Sequence, residues 1–322
     1  MLEMTGSCLN HLNIFSDKIT LMTNHKHLRT VIEDIYSNGN ELTKDLTLRL
    51  IHEFRYSNLY IPAKRDDFNL NFIIYEDDNG LRLTPLFTDP DEFRKFFKDE
   101  EDIELMQNSF ELYQNVLKTS DIEGYVLNPA TEKYVFTKEF ILEIRHIPKT
   151  NFYSTRGYTA EELREMKNAR NDDLERFIEN PNNIGDYEAL FEVMSNSRLL
   201  TMMVSDVDLA SKAKDGIISM MDSGPLAQMY TDRVGGTYAT LFSSEDKMKE
   251  VETDKFRYSQ VVNLAMLVNF VLSEDMEGIV LNPQTDNVLI PRVTLLKYSI
   301  GFERFAHDEK LCDTIYYMFL LS

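Results

Sequence analysis

One phrase occurs twice in this 322-residue chain, and it constrains the fold more than any other feature. The sequence EGYVLNPATEKYVF begins at Glu123, and EGIVLNPQTDNVLI begins at Glu277. Proline cannot donate to a strand ladder, and Asn favours turns. Each phrase therefore reads as a buried strand, a turn at Asn-Pro, a second short strand and the entry to a helix. We predict that the same local structure forms twice and that its role is structural.

The similarity continues on the N-terminal side of the phrase. FIIYEDDNGLRLTPLFTDPDEFRKF from Phe72 aligns without gaps with AQMYTDRVGGTYATLFSSEDKMKEV from Ala227. Further upstream, SNLYIPAK from Ser57 faces SRLLTMMV from Ser197, which leaves 15 additional residues in the second copy. The chain length also agrees with two domains of about 100 to 200 residues each. We predict an internal duplication.

The fold class follows from the order of the predicted elements. We expect an α/β (α+β) protein of two similar domains, each a small mixed sheet with helices packed on it. The first copy covers residues 24–148. The second covers 159–300 with an insertion near 205–220, and an apolar C-terminal tail covers 301–322.

Each copy begins with helices and continues with short strands. TKDLTLRLIHEF from Thr43 and GDYEALFEVM from Gly185 have helical periodicity, and an apolar strand follows each at Leu59 or Leu199. A hairpin comes next, in which Gly80 and Gly235 supply the positive φ of the turn.

A longer amphipathic helix is then predicted from apolar residues spaced by three and four. It contains Ile103, Met106, Phe110, Tyr113 and Leu117, and its counterpart covers Val261 to Leu272.

Twelve positions define the turns and the repeat motif. We expect Thr88 and Ser243 to cap the helices that follow them, Thr137 to cap KEFILEI, and Thr159 with Glu162 to form a capping box after the linker at 145–158. The twelve positions are Gly80, Phe87, Thr88, Gly124, Asn128, Pro129, Gly235, Phe242, Ser243, Gly278, Asn282 and Pro283.

Three segments of the first copy resemble a known family. SNLYIPAK, NGLRLTPLFTDPDEF and GYVLNP resemble the SseB-like domain family, named for an enhanced serine sensitivity protein. The resemblance covers residues 40–145 and, less closely, 185–300, where LLTMMV lacks the proline of LYIP. It implies an α/β fold for each copy and brings no generally assigned catalytic residues.

Charge and cysteine content limit the classes of partner that the protein can bind and the cellular compartment in which we expect it. The formal net charge is −20, from 34 basic and 54 acidic side chains. Such a surface repels phosphate backbones and anionic lipids, so we expect neither nucleic acid nor membranes as partners. Cys8 and Cys312 do not form a disulfide framework, and the sequence contains neither a secretion signal nor a membrane span. We expect a cytoplasmic protein.

Familiar chemical motifs are weak here. Asp222-Ser223-Gly224 matches one half of an aspartic protease signature, and Asp206-Val207-Asp208 starts an incomplete calcium loop, so both read better as turns. His25 and His27 are two residues apart, which favours an exposed helix start over a metal site. We predict no catalytic, metal-binding or cofactor-binding residue.

These observations favour a non-enzymatic interaction or scaffold protein that binds other proteins, basic ones among them. One alternative is an enzyme or small-molecule binder with a cleft between the copies, using the matched carboxylates Asp77 and Asp232. Another is self-assembly, including a homodimer, through the tail IYYMFLL with Tyr316, Tyr317 and Phe319. For this tail we favour packing on the chain's own core.

Overall fold

The structure is a computed structural model. It describes residues 25–65, 70–77, 80–98, 102–144, 158–167, 171–183, 185–220, 226–262, 264–299 and 317–321. The described residues divide into two compact units. The N-terminal unit contains the described residues up to 144 together with residues 273–275, and the C-terminal unit contains the others.

The N-terminal unit contains two small sheets. Its elements are α1 (Lys26–Ser37), α2 (Lys44–Tyr56), β1 (Tyr60–Arg65), β2 (Leu70–Phe72), β3 (Tyr75–Glu76), β4 (Arg82–Leu86), α3 (Pro90–Phe96), β5 (Glu104–Gln107), α4 (Phe110–Thr119), β6 (Gly124–Leu127), β7 (Tyr134–Thr137) and α5 (Lys138–Glu143). One sheet has the order β2-β1-β5, and the other has the order β3-β4-β6-β7. In the second sheet β4 and β6 are parallel, and the outer pairs are antiparallel.

The C-terminal unit repeats this arrangement and adds strands to it. Its first elements are α6 (Ala160–Lys167), α7 (Asp172–Glu179), α8 (Tyr187–Ser195), β8 (Leu199–Ser205), β9 (Ile217–Ser219), β10 (Leu226–Ala227), β11 (Met229–Thr231) and β12 (Thr237–Leu241). They are followed by α9 (Glu245–Lys249), β13 (Phe256–Val262), α10 (Leu264–Ser273), β14 (Gly278–Leu281), β15 (Val288–Pro291), α11 (Arg292–Ser299) and β16 (Tyr317–Leu320).

The sheet β11-β12-β14-β15 has the same order and the same strand directions as β3-β4-β6-β7. The other sheet has five strands in the order β10-β8-β13-β16-β9, where the N-terminal unit has three. A bridge links the two sheets of each unit, between Tyr60 and Phe87 in one and between Leu200 and Phe242 in the other. The mixed α/β class is confirmed, whereas the duplication itself stays a prediction.

Apolar burial organises each unit. In the N-terminal unit one core joins α1, α2, α4 and both sheets, with Phe54, Tyr113 and Phe136 among its fully buried members. In the C-terminal unit the five-stranded sheet is covered on both faces. Met202 and Phe319 belong to one apolar cluster, and Met203 and Met318 belong to another, as alternation along strands requires.

Three sequence expectations differ from the structure. Each unit has two sheets, where one mixed sheet was expected. The predicted helix from Ile103 is wrong in its first turn, because Met106 lies in β5, and likewise Val261 lies in β13. Apolar residues of a strand and of the helix that follows it happened to fall at helical spacing. The segment from Thr159 contains two helices, α6 and α7.

Local capping follows the sequence more closely. Thr43 and Thr137 accept N–H groups at the start of α2 and α5, at 3.2 and 3.3 Å. Thr159 and Glu162 form the reciprocal bonds of a capping box, at 2.8 and 3.2 Å. No helix in the described part of the chain combines the length and the apolar character needed to cross a bilayer.

Candidate functional site

The Asn-Pro turn has the same geometry in both units. Asn128 and Asn282 are fully buried, with φ of 44° and 51°. The side-chain oxygen of Asn128 accepts the N–H of Thr88 at 3.0 Å, and its Nδ2 donates to the Thr88 hydroxyl at 3.0 Å. Asn282 makes the same two bonds with Ser243, at 2.9 and 3.0 Å. Each buried amide is therefore satisfied and fixes the turn to the end of the neighbouring strand.

These bonds explain why the prediction that Thr88 and Ser243 cap the following helices is wrong. Thr88 and Ser243 are not the N-caps of α3 and α9; the next residues, Asp89 and Ser244, are. Asp89 accepts two N–H groups of the first turn of α3, each at 2.9 Å. The hydroxyl groups of Thr88 and Ser243 instead receive the asparagine side chains.

The glycine of each phrase stands where a strand approaches closely. A Cβ added to Gly124 would lie 2.2 Å from the carbonyl oxygen of Phe136. One added to Gly278 would lie 2.2 Å from that of Ile290. No side chain fits at either position without moving the backbone, which accounts for the glycine in both phrases.

The remaining motif positions lie in equivalent places. The two hairpin glycines have positive φ, the two bridge phenylalanines are fully buried, and the two prolines are buried in the Asn-Pro turns. These residues are Gly80 and Gly235, Phe87 and Phe242, and Pro129 and Pro283.

A charged cluster lies at the carboxyl ends of the parallel strands β4 and β6. Glu92 is 1% exposed, and one of its oxygens is 3.4 Å from an Arg29 nitrogen and 2.6 Å from Lys95 Nζ. Its other oxygen accepts the Thr131 hydroxyl at 2.7 Å. The same Arg29 nitrogen is 2.6 Å from Glu132. The cluster ties α1 and α3 to the Asn128 turn.

The C-terminal unit has an equivalent cluster with two charges reversed. Glu175 is the fourth residue of α7, as Arg29 is of α1, and it accepts the Ser243 hydroxyl at 2.9 Å. Lys247, which aligns with Glu92, lies 3.0 Å from Asp286. Asp286 also accepts a bond from Asn282 at 2.8 Å. The signs at the positions of Arg29 and Glu92 are thus exchanged in the C-terminal unit, where Lys247 pairs with Asp286 and Glu175 bonds to Ser243.

The two clusters occupy the edge where α/β sheets commonly bind ligands. Their charged groups nevertheless bond to one another, and both oxygens of Glu92 are engaged. Removing one partner of a buried ion pair is costly, so such pairs fix the elements they join. We interpret both clusters as structural locks. Among the described residues, no group of three or more His, Cys, Asp or Glu side chains is arranged to hold a metal ion.

The matched carboxylates Asp77 and Asp232 each serve a hairpin turn. Asp77 accepts the N–H of Leu81 at 2.8 Å, and Asp232 accepts that of Gly236 at 2.8 Å. The bond from Gly236, with others from the turn and from the Tyr238 hydroxyl, lowers the pKa of Asp232. A lowered pKa is the opposite of what a general base near neutral pH requires.

The start of α1 also differs from expectation. His25 precedes the helix, as predicted, but it is buried rather than exposed, with φ of 49°. The carboxylate of Asp275 accepts the N–H groups of Lys26 and His27 at 2.7 and 3.4 Å. Burial, reinforced by the neighbouring Asp275 charge, raises the pKa of Glu274 to about 7.

Of the two acidic motifs considered as sites, one lies in the described chain. Asp206 is 3.3 Å from Lys255, and Asp208 accepts the N–H of Ala210 at 2.8 Å, so this segment is a turn. The motif at 222–224 lies outside the described residues.

The insertion and the tail, which depart most from the shared pattern, pair with each other. β16 lies antiparallel between β13 and β9, with Phe319 opposite Ser259 on one side and Ile217 on the other. Phe319 is fully buried in its own unit, so its side chain is not available to a partner. Tyr317 lies in β16, and Tyr316 lies outside the described residues.

This pairing reveals a feature that the sequence reading missed. β13 has β8 and β16 as neighbours, whereas the corresponding strand of the N-terminal unit, β5, pairs with β1 alone among the described strands. The sequence gives little signal for this strand, because Leu105 and Met106 are adjacent apolar residues and Met106 lies at helical spacing from Phe110.

A scan against protein-family models, a search of curated proteins and a search of solved structures each found no match for this chain. The resemblance to SseB-like domains therefore stays a prediction.

Proposed function

We propose that the chain is a non-enzymatic protein-interaction protein built from two SseB-like modules. The outer edge of β5 carries this proposal. An exposed strand edge is a template on which an extended segment of another protein adds a further strand. The C-terminal unit covers the corresponding edge with its own β16, and the N-terminal unit leaves it open within the described chain.

The hydrogen-bonding groups on that edge follow from the pairing of β1. Tyr60 exchanges two backbone bonds of 2.8 Å with Phe87, and the carbonyl of Pro62 accepts a bond from the residue after β2. Both residues therefore direct their backbone groups away from β5. Their partners across the ladder are Gln107 and Leu105. In antiparallel pairs such residues point outward, so the N–H and C=O groups of Leu105 and Gln107 face the open side.

Other edges help to define the proposal. β7 and β15 are the outer strands of their sheets in both units, so their edges belong to the shared pattern. The β5 edge differs because its counterpart is occupied. The carboxylates suggested for an enzyme, Asp77 and Asp232, are engaged within their own hairpins.

The test introduces proline at the outward position of β5. Leu105→Pro removes an N–H that points to the open side and leaves the bonds to β1 intact. Val135→Pro is the matched control, because Val135 lies on the edge strand β7 and also points outward. A partner captured by the full chain should cross-link to Lys64 on β1, persist with Val135→Pro and be lost with Leu105→Pro. Equal capture by both variants would refute the proposal.

A further inference from the structure

We infer that residues Ser273–Asp275 form a pH-sensitive clasp on the first turn of α1, which is closed while the Glu274 side chain is neutral and loosens when that side chain is charged. These residues belong to the N-terminal unit, as α1 does, although Asp275 is 249 positions from Lys26 in the sequence. The clasp is separate from the β5 edge and independent of the proposed function.

The first turn of α1 receives its cap from outside the helix. The free N–H groups of a helix start are usually bonded by the N-cap side chain, as Thr43 does for α2. The side chain of His25, the N-cap of α1, does not make this bond, and the first turn contains no acidic residue. The carboxylate of Asp275 accepts the N–H groups of Lys26 and His27 instead, at 2.7 and 3.4 Å. A negative charge is also favoured there by the helix dipole.

The backbone of Asp275 indicates that its side chain is required at this position. Its φ of 59° lies in the left-handed region, which residues other than glycine adopt at a cost. The aligned residue Asp121 does not lie in that region, and it pairs with Arg82. Strained backbone persists where the surrounding contacts hold it in place. For Asp275 these contacts include the two bonds to α1.

The groups around Glu274 determine when the clasp loosens. Burial, reinforced by the charge of Asp275, opposes ionisation of Glu274 and raises its pKa to about 7. Tyr60 and Asp89 also face this place, since burial and then the charges of Asp89 and Glu274 raise the pKa of Tyr60. Asp89 lies 3.5 Å from Arg29, which offsets part of its charge. A charged Glu274 is therefore more stable in water than in the closed segment.

His27 acts in the same direction as Glu274. Its Nε2 lies 3.9 Å from an oxygen of Asp275. A protonated imidazole attracts this carboxylate and a neutral imidazole does not, so loss of the proton weakens the contact as pH rises. Both titrations therefore favour the closed clasp at low pH and the open clasp at high pH.

The size of the effect follows from the two states of Glu274. Its carboxyl group has the ordinary pKa of 4.5 when the segment is open and a pKa of about 7 when the segment is closed. The equilibrium therefore shifts toward the open state as pH rises from about 4.5 to about 7, by about 300-fold in all. Between about pH 6 and about pH 8 the open population should rise about tenfold.

The test follows hydrogen exchange of single backbone amides by NMR in the full chain at about pH 6 and about pH 8, corrected for the intrinsic pH dependence of exchange. Protection of the Lys26 and His27 amides should fall about tenfold between these pH values. The amide of Phe140, which Thr137 caps at the start of α5, is the control in the same sample and should keep its protection. In Glu274→Gln the fall at α1 should be less than about threefold, because only the weaker contribution of His27 is left.

A second variant tests the cap itself. Asp275→Ala removes the acceptor, so it should lower the protection of the Lys26 and His27 amides at both pH values by at least about threefold. Unchanged protection in this variant would overturn the inference. Three other results would also overturn it: no fall in the wild type, an equal fall at Phe140, which would indicate loss of global stability, or a tenfold fall that Glu274→Gln retains.

Discussion

The repeated glycines offer the most direct test of whether the two phrases have the same role. Gly124→Ala and Gly278→Ala each place a methyl group 2.2 Å from a carbonyl oxygen of the neighbouring strand. Ordinary contact begins at 3.4 Å, so the strands must separate by about 1.2 Å. Because the obstacle is backbone, no side-chain rotation relieves it.

The cost can be estimated from the hydrogen bonds beside each glycine. The N–H of Lys138 bonds to the carbonyl of Glu123 at 2.8 Å, and that of Arg292 bonds to Glu277 at 2.7 Å. A separation of this size stretches each bond to about 4 Å, beyond hydrogen-bonding distance. Losing this bond and a neighbouring ladder bond costs about 2 kcal/mol. Overpacking adds roughly 1 kcal/mol, so the total is about 3 kcal/mol. The entropy that alanine removes from the unfolded chain offsets less than about 1 kcal/mol.

The free energy of unfolding is measured by urea denaturation with far-UV circular dichroism, since the chain has no tryptophan. Hydrogen exchange locates the effect at residues 124–127 for one variant and at 278–281 for the other. Gly39→Ala is the control: its φ is 70° and its added Cβ meets no atom within 4 Å, so it should cost only about 1 kcal/mol of backbone strain. If either phrase variant costs no more than this control, the close-approach argument fails for that unit.

Two further perturbations address the charges. Arg29→Glu should destabilise the N-terminal unit by about 3 kcal/mol, since it leaves Glu92 and Glu132 facing a third carboxylate. Adding Glu92→Lys should restore at least half of the lost stability, because the double variant has the same signs of charge at these two positions as the C-terminal unit. Additive effects in this double-mutant cycle would contradict the lock interpretation. Because the folded-state pKa of Glu274 is raised from 4.5 to about 7, the unfolded chain loses this proton first, and stability falls as pH rises from about 4.5 to about 7. In urea denaturation, Glu274→Gln should therefore stabilise the protein by up to about 3 kcal/mol at pH 8 and leave its stability unchanged at pH 4. The control Glu41→Gln, at an exposed site, should change the stability at neither pH. Parallel pH profiles of stability for wild type and Glu274→Gln would disprove the assignment.

Local signals in the sequence predicted the turns and several helix starts because they depend on residues close together in the chain. The Asn-Pro turn, the hairpin glycines and the capping box at Thr159 are of this kind. The sequence also shows that glycine follows glutamate in both phrases, but it does not show why glycine is required there. Its neighbour in space, Phe136 or Ile290, is twelve residues away along the chain, and periodicity does not report such a contact.

Long-range features escaped the reading for the same reason. The hydrogen bonds between Asn128 and Thr88 join residues that are 40 positions apart in the sequence, and the ion pair of Arg29 and Glu92 joins residues that are 63 positions apart. The alignment of Glu92 with Lys247 alone suggests a mismatch between the copies. The structure shows that Arg29 and Glu175 occupy equivalent positions on α1 and α7, so the sign of the charge is reversed at both positions.

The largest difference between the two units is confined to one place, and this gives the duplication hypothesis a functional consequence. The tail supplies β16, which covers one side of β13, and the insertion supplies β9, which pairs with the other side of β16. β9 bonds to β16 rather than to β13, so the insertion has a strand to pair with only when the tail is in place. If both copies descend from one ancestor, the C-terminal unit differs by two additional strands at this edge, and no described strand takes the place of β16 beside β5. An uncovered edge is an aggregation hazard unless it is protected or used. We propose that the β5 edge is used, and that a segment of another protein pairs with it.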